Sequence, residues 1–309
     1  MAADTVSLQK WALAAGLALM LAWGVNFAIT KVVLAELGVW PFLFIRFLAM
    51  PLFGFALLLI VTRRHFPRTW PRRGDLARFI AAGLIGHTAH VSLVMWGINL
   101  STAFSSSLVL TSSPLWTLLI LALLGAEKLR RRQLIGTLVA FAGIVLFLSD
   151  KFVAGFALAG AGDLVLLLAA SLFSLYTVIT KPLVARYGPL NVMCYTLLFG
   201  APPLVLATLP AFLDAPLAGV TAGVWFGVFW AIAVSSFLGW IVWAWVNSVR
   251  GLARSAPLQY LMPPIAGVVA WLTLGETFSA LKIAGAAAAM SGIAWAQLGA
   301  HSASPPDSA

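Results

Sequence analysis

An all-α integral membrane fold, with ten transmembrane helices set as two inverted five-helix repeats (5+5) and both termini cytoplasmic, is predicted by three observations. The first is composition. Of 309 residues, 62% are hydrophobic and 9% charged, with mean hydropathy +1.01, whereas soluble domains carry about a quarter charged residues. That excludes a water-soluble globule. The second is an echo at constant spacing: the stretch Ser112-Ser113-Pro114-Leu115-Trp116 with Glu127 is answered by Met262-Pro263 with Glu276, and Gly136, Gly143 and Ile144 by Gly285, Gly292 and Ile293, at offset 149. Ile29-Thr30-Lys31 and Ile179-Thr180-Lys181 repeat at offset 150. Sparse matches in one register mark an internal repeat. The first repeat takes residues 1–150, the second 151–300, and 301–309 is a small, polar, disordered tail.

The third observation is where the basic residues fall. With a cytoplasmic N-terminus, the inner segments hold Lys10; Arg63, Arg64, Arg68, Arg72, Arg73 and Arg78; Lys128, Arg130, Arg131 and Arg132; Lys181 and Arg186; Arg250 and Arg254, fifteen of the nineteen basic residues. This is the positive-inside pattern. Five helices per half, an odd number, then turn the second half upside down, an arrangement found in transporters that alternate access around a midplane site. The net charge of +10 sits in short clusters between apolar runs, which writes topology and gives no face for nucleic acid.

The ten runs are 11–30, 40–61, 78–98, 104–125, 133–149, 163–181, 189–209, 222–246, 256–275 and 280–299, long enough to cross a core of about 30 Å at about 1.5 Å per residue. They lack the period-two alternation of barrel strands, so helices carry them. The first run is followed by nine more and reads as a retained helix, not a cleaved signal peptide. On it Trp23, Asn26 and Thr30 share one face, and an amide within an apolar helix must face protein or water. In the second, Arg46 lies about six residues in, where snorkelling or pairing with a carbonyl outweighs meeting an anionic group. The third carries His87 and His90, within about 50° of each other on a 3.6-residue helix. Without a neighbouring carboxylate or cysteine they make a poor metal shell, which leaves a titrating, pore-lining pair or a helix contact.

The fourth run shows Ser105, Ser112 and Trp116 on one face, with Pro114 breaking its backbone bonding. The fifth and tenth hold the repeated glycines. In the sixth, Phe173, Tyr176 and Thr180 answer Trp23, Asn26 and Thr30. The seventh holds Pro202-Pro203 and the one cysteine, Cys194, which excludes an intramolecular disulfide and a cysteine metal site. The eighth aligns Ser236, Trp240, Trp243 and Asn247; the ninth offers Ser255, Gln259, Tyr260 and Met262. Trp11, Trp40, Trp70, Trp225 and Trp295, near run ends, read as interfacial anchors. Serines and threonines on these faces more often bond their own helix or a neighbour than a substrate.

All nine acids fall in termini, loops or run ends, so no mid-membrane carboxylate supports tight ion coupling. An enzyme is disfavoured: there is no HExxH, no paired carboxylate and no serine with a base at hand. Neither cofactor nor metal is expected. The set Asn26, Trp23, His87, His90, Ser112, Trp116, Tyr176, Trp243 and Tyr260 is the expected substrate-binding group.

Trp23-Gly24-Val25-Asn26-Phe27, Arg46-Phe47, Ser113-Pro114 with Glu127, and Gly275-Glu276 together resemble the EamA family of the drug/metabolite transporter superfamily, most closely its YddG-type bacterial amino-acid exporters. The resemblance spans essentially the whole chain. It implies alternating access and outward movement of small metabolites, aromatic and other neutral amino acids foremost, across the bacterial inner membrane; the missing mid-membrane carboxylate points to a facilitative carrier, and a monomer is expected. The alternative is a drug or cationic-metabolite exporter, proton-coupled through His87 and His90. Glu127 and Glu276, at helix ends, are expected to serve structure.

Overall fold

The computed structural model describes residues 2–62, 70–125, 131–153, 158–250 and 255–301. Glu127, six of the basic residues counted above (Arg63, Arg64, Arg68, Lys128, Arg130 and Arg254) and the tail beyond His301 lie outside the described residues. Regular structure among the described residues is entirely helical. Merging contiguous turns gives α1 (Ala2–Leu37), α2 (Val39–Thr62), α3 (Arg73–Leu100), α4 (Ala103–Leu123), α5 (Arg131–Val153), α6 (Leu158–Tyr187), α7 (Pro189–Leu213), α8 (Ala222–Asn247), α9 (Leu258–Leu274) and α10 (Ala280–His301). Eight of the described helices, α1 to α8, are long and apolar enough to cross a membrane, and α9 and α10 contribute shorter apolar stretches.

Several helices outrun their apolar runs, because backbone bonding continues through polar flanks until something stops it. Glycine does so here. Gly38 and Gly188, at φ 82° and 79°, separate α1 from α2 and α6 from α7, while Gly125 and Gly275, at φ 67° and 65°, follow α4 and α9. These left-handed positions admit a side chain only with strain. Both pairs stand 150 residues apart, so the echo in sequence is also an echo in backbone.

Two other irregularities recur in step. α3 holds a π-helical stretch at Gly83–Ala89 and α8 one at Trp230–Leu238. α4 is interrupted at Thr111 and Ser112 ahead of Pro114, and a 3₁₀ turn, Ala256–Leu261, leads into α9 ahead of Pro263. A proline lacks the N–H that an uninterrupted helix needs.

α5 and α10 meet along the repeated glycines. A Cβ at Gly136 would strike the Ala296 backbone, and one at Gly285 the Phe147 backbone; Gly143 faces Ala289 as Gly292 faces Ala140. Each of these pairs becomes the other under the offset of 149. Small residues let backbones approach where lipid gives no hydrophobic drive between helices. The largest buried cluster draws on α1, α2, α3, α4, α6, α7 and α8, with Phe42, Phe47, Val109, Leu166, Leu197 and Ile232 among its members. A second cluster, with Phe104, Ile144, Phe147 and Ala289, joins α4, α5 and α10.

Polar side chains tie the helix ends. At one end of the α3–α6 pair, Asp75 accepts from Arg186 Nη1 at 2.5 Å and the Tyr187 hydroxyl at 2.7 Å. At the other end the Ser101 hydroxyl donates to Asp163. Lys31 Nζ donates to the carbonyls of Ile98, Asn99 and Ser101 at 3.0, 2.6 and 2.5 Å, a cation placed on the unsatisfied carbonyls at the C-terminus of α3. Glu276 accepts from the N–H groups of Ala103 at 2.6 Å and Phe104 at 3.3 Å. That carboxylate satisfies the donors opening α4.

Candidate functional site: a cavity among α2, α3, α6, α7 and α8

The π-helical stretch of α3 sets the site. Gly83 lies so close to α7 that a Cβ would come 2.5 Å from the Thr196 carbonyl oxygen, and a Cβ at Gly86 would overlap the Tyr176 ring. Only glycine admits both neighbours, and π turns gather at functional sites. His87 and His90 follow directly. Beside them runs a cavity of about 80 Å³ whose polar lining is Arg46, His87, His90 and Tyr176. Its aromatic wall comes from Phe47, Phe173 and Trp240, and its flexible wall from Met50, Met95 and Met193. Sites for drug-sized ligands usually hold about 300–1,000 Å³, so this cavity must widen to take an amino acid.

The imidazoles are oriented by the scaffold. His90 Nδ1 lies 2.9 Å from the Ala169 carbonyl oxygen, which only accepts, so the proton is on Nδ1 and Nε2 of the neutral ring stays an acceptor. His87 Nε2 lies 3.0 Å from the Thr196 hydroxyl, whose own proton has the Val192 carbonyl at 2.8 Å. His87 therefore donates from Nε2 and keeps Nδ1 as acceptor. Ring contacts hold both: Tyr176 sits edge-on to His87 at 5.6 Å, and Phe173 lies 5.2 Å from His90. Trp240 meets Phe173 at 6.1 Å.

Arg46 stands apart from these satisfied groups. Its Nε is buried with no hydrogen-bond partner, and among the described residues no carboxylate or carbonyl is bonded to its guanidinium. The sequence reading favoured an outward-snorkelling or carbonyl-paired side chain; the structure instead sets it in the cavity wall.

Of the nine expected site residues, His87, His90 and Tyr176 line this cavity. Trp23 and Trp243 pack together at 5.8 Å between α1 and α8, and Trp23 Nε1 donates to the Ser235 carbonyl at 2.8 Å. Asn26 lies on α1 with its Oδ1 buried and unpartnered. Ser112 is fully buried and bonds back to the Val109 carbonyl at 2.6 Å. Trp116 packs edge-on to Phe141 of α5 at 5.3 Å. Tyr260 rests on a small cluster of Leu115, Ala140, Ile293 and Ala296. The expected binding set left out Phe47 and the three methionines, since apolar residues in an apolar run show no periodic contrast. The Arg46-Phe47 motif was the one signal that pointed to that wall.

Comparison with known proteins follows the same lines. The chain is 31% identical to a probable terminal-alkyne amino-acid exporter of Streptantibioticus cattleyicolor over 72% of its own length and 73% of that protein. It is 25% identical to a probable amino-acid metabolite efflux pump of Salmonella typhimurium over 90% of this chain and 91% of that one. A crystal structure of a protein 20% identical, covering 93% of this chain and 97% of its own, superposes with a TM-score of 0.64, which shows a shared fold. The model of the EamA-like transporter family matches twice, at residues 10–149 and 160–297. This multi-pass membrane protein belongs to the EamA-like transporter family.

Proposed function

We propose that the protein exports amino acids, aromatic and other neutral ones foremost, across the bacterial inner membrane by alternating access, as a facilitative monomer. The observation that carries this reading is the cavity in which Arg46, His87 and His90 share one space with aromatic and methionine side chains. An amphipathic zwitterion needs both kinds of wall. Its apolar part packs against Phe173, Tyr176 and Trp240, and the free imidazole nitrogens accept hydrogen bonds from its ammonium group. Relatives named as an amino-acid exporter and an amino-acid metabolite efflux pump support the substrate class.

The proposed architecture is ten membrane-crossing helices in two inverted halves, with both termini cytoplasmic. Three features support the twofold repeat: the double family match, the glycine pairs at offset 150 and the exchanging contacts of α5 with α10. Rocking of helix groups, each drawn from both halves, widens the cavity first to one side and then to the other. A cationic-drug exporter is the weaker reading, because an unpaired arginine in the cavity repels a cationic substrate.

Counterflow in proteoliposomes tests the function. Vesicles loaded with unlabelled amino acid and given no ion gradient should take up labelled phenylalanine, tryptophan, threonine or methionine in a saturable, trans-stimulated way. Absence of exchange for every amino acid in sealed vesicles would sink the substrate class.

A further inference from the structure

The geometry points to Arg46 as the anchor for a carboxylate on the substrate, so that the site selects molecules joining a carboxylate to an apolar or aromatic body and rejects amphipaths that are only cationic. This rests on the cavity being the transport site. A guanidinium with no partner in an apolar enclosure is costly unless a counter-ion arrives. None of the acids whose side chains are described is bonded to Arg46, and Asp214, at the end of α7, is exposed. Asp75 is held by Arg186 and Tyr187, Asp163 accepts from Ser101, Glu36 meets Thr221, and Glu276 accepts from Ala103 and Phe104.

The open donor also matters for geometry. Arginine binds a carboxylate through two parallel N–H groups, and Nε is one of the donors on its fork. Here Nε is buried and unclaimed, beside rings suited to the substrate body. His87 and His90 donate to Thr196 and Ala169, so their remaining nitrogens act as acceptors that a carboxylate cannot use. Of the cavity's polar groups, only Arg46 offers an uncommitted charged fork to an anion.

The test compares four probes on the purified wild-type protein by equilibrium binding: phenylalanine, 3-phenylpropanoate, phenylalaninamide and phenethylamine. The first two carry a carboxylate and the last two do not. We expect both acids to bind at least about tenfold tighter than the amide and the amine, and Arg46→Gln to erase that gap. Because the comparison among probes needs no variant, a folding defect in Arg46→Gln leaves it intact. Amide or amine binding equal to the acids overturns the anchor, as does failure of all four to bind. Counterflow of phenylalanine, run in parallel, separates the two readings. Exchange with no preference for acids keeps the exporter and removes the anchor, while binding of 3-phenylpropanoate without phenylalanine exchange keeps the anchor and removes the amino-acid reading.

Discussion

A buried hydroxyl with no partner weighs against its own fold, and Tyr260 carries one on the face that packs against Leu115 and Ala140. Removing it with Tyr260→Phe should leave the melting temperature in detergent unchanged or higher, since no bond is lost and a desolvated oxygen disappears. Its half-saturation constant in counterflow should equal that of the wild type, which separates this residue from the cavity. Trp240→Ala is the counterpart. It removes a ring from the cavity wall beside Phe173, so half-saturation should rise by about tenfold, the equivalent of about 1.4 kcal/mol; an unchanged constant would show that substrate binds elsewhere. At this scale the sequence disclosed only part of the cavity lining. His87, His90 and Tyr176 were legible because polar groups stand out at helical spacing on an apolar run. Ser112, Trp116 and Tyr260 obeyed the same spacing, yet face neighbouring helices, and periodicity cannot tell a cavity from a neighbour. Arg46 was visible, but its lack of a partner is a property of other helices.

Among the elements, α5 and α10 depend most closely on residue size. A side chain at Gly292 would run into the backbone of Ala140 and the Gly136 carbonyl, neither of which can swing away. Gly292→Val should therefore cost about 1–3 kcal/mol or more, read as a lower melting temperature and poorer yield. Gly219→Ala, where nothing lies within 4 Å of the added carbon, should leave both unchanged. The positions of the helices were legible from hydropathy, because lipid enforces long apolar runs. Their ends were not: α6 continues to Tyr187, six residues beyond its run, until Gly188 turns it. The π stretches of α3 and α8 left no hydropathic trace either, since one extra residue in a turn alters register without altering composition.

For the whole molecule, alternating access requires some helices to separate and others to travel together. α3 and α6 are bonded at both ends, Asp75 with Arg186 and Tyr187 at one and Ser101 with Asp163 at the other, while His87 and His90 meet Tyr176 and Phe173 between them. They should move as one body. With Cys194→Ser as a background free of thiols, the pair Ser101→Cys and Asp163→Cys joined by a short bifunctional reagent should retain counterflow near the uncrosslinked level. Loss of exchange on crosslinking, restored by a cleavable reagent, would show instead that the two helices part in each cycle. The echo was legible from a few glycines and prolines; that α5 and α10 touch along it was not, because sequence offsets say nothing about which segments meet. The seam between those two helices has a further consequence. A contact in which every pairing is returned with its members exchanged is what two separate copies of one helix make about a dyad, so the seam has the form of a homodimer contact within a single polypeptide. A true homodimer must repeat every substitution twice. One chain is released from that bond: Arg46 has Thr196 at its echo 150 residues on, and a symmetric frame can thus enclose a lopsided cavity, with its cation on one wall only.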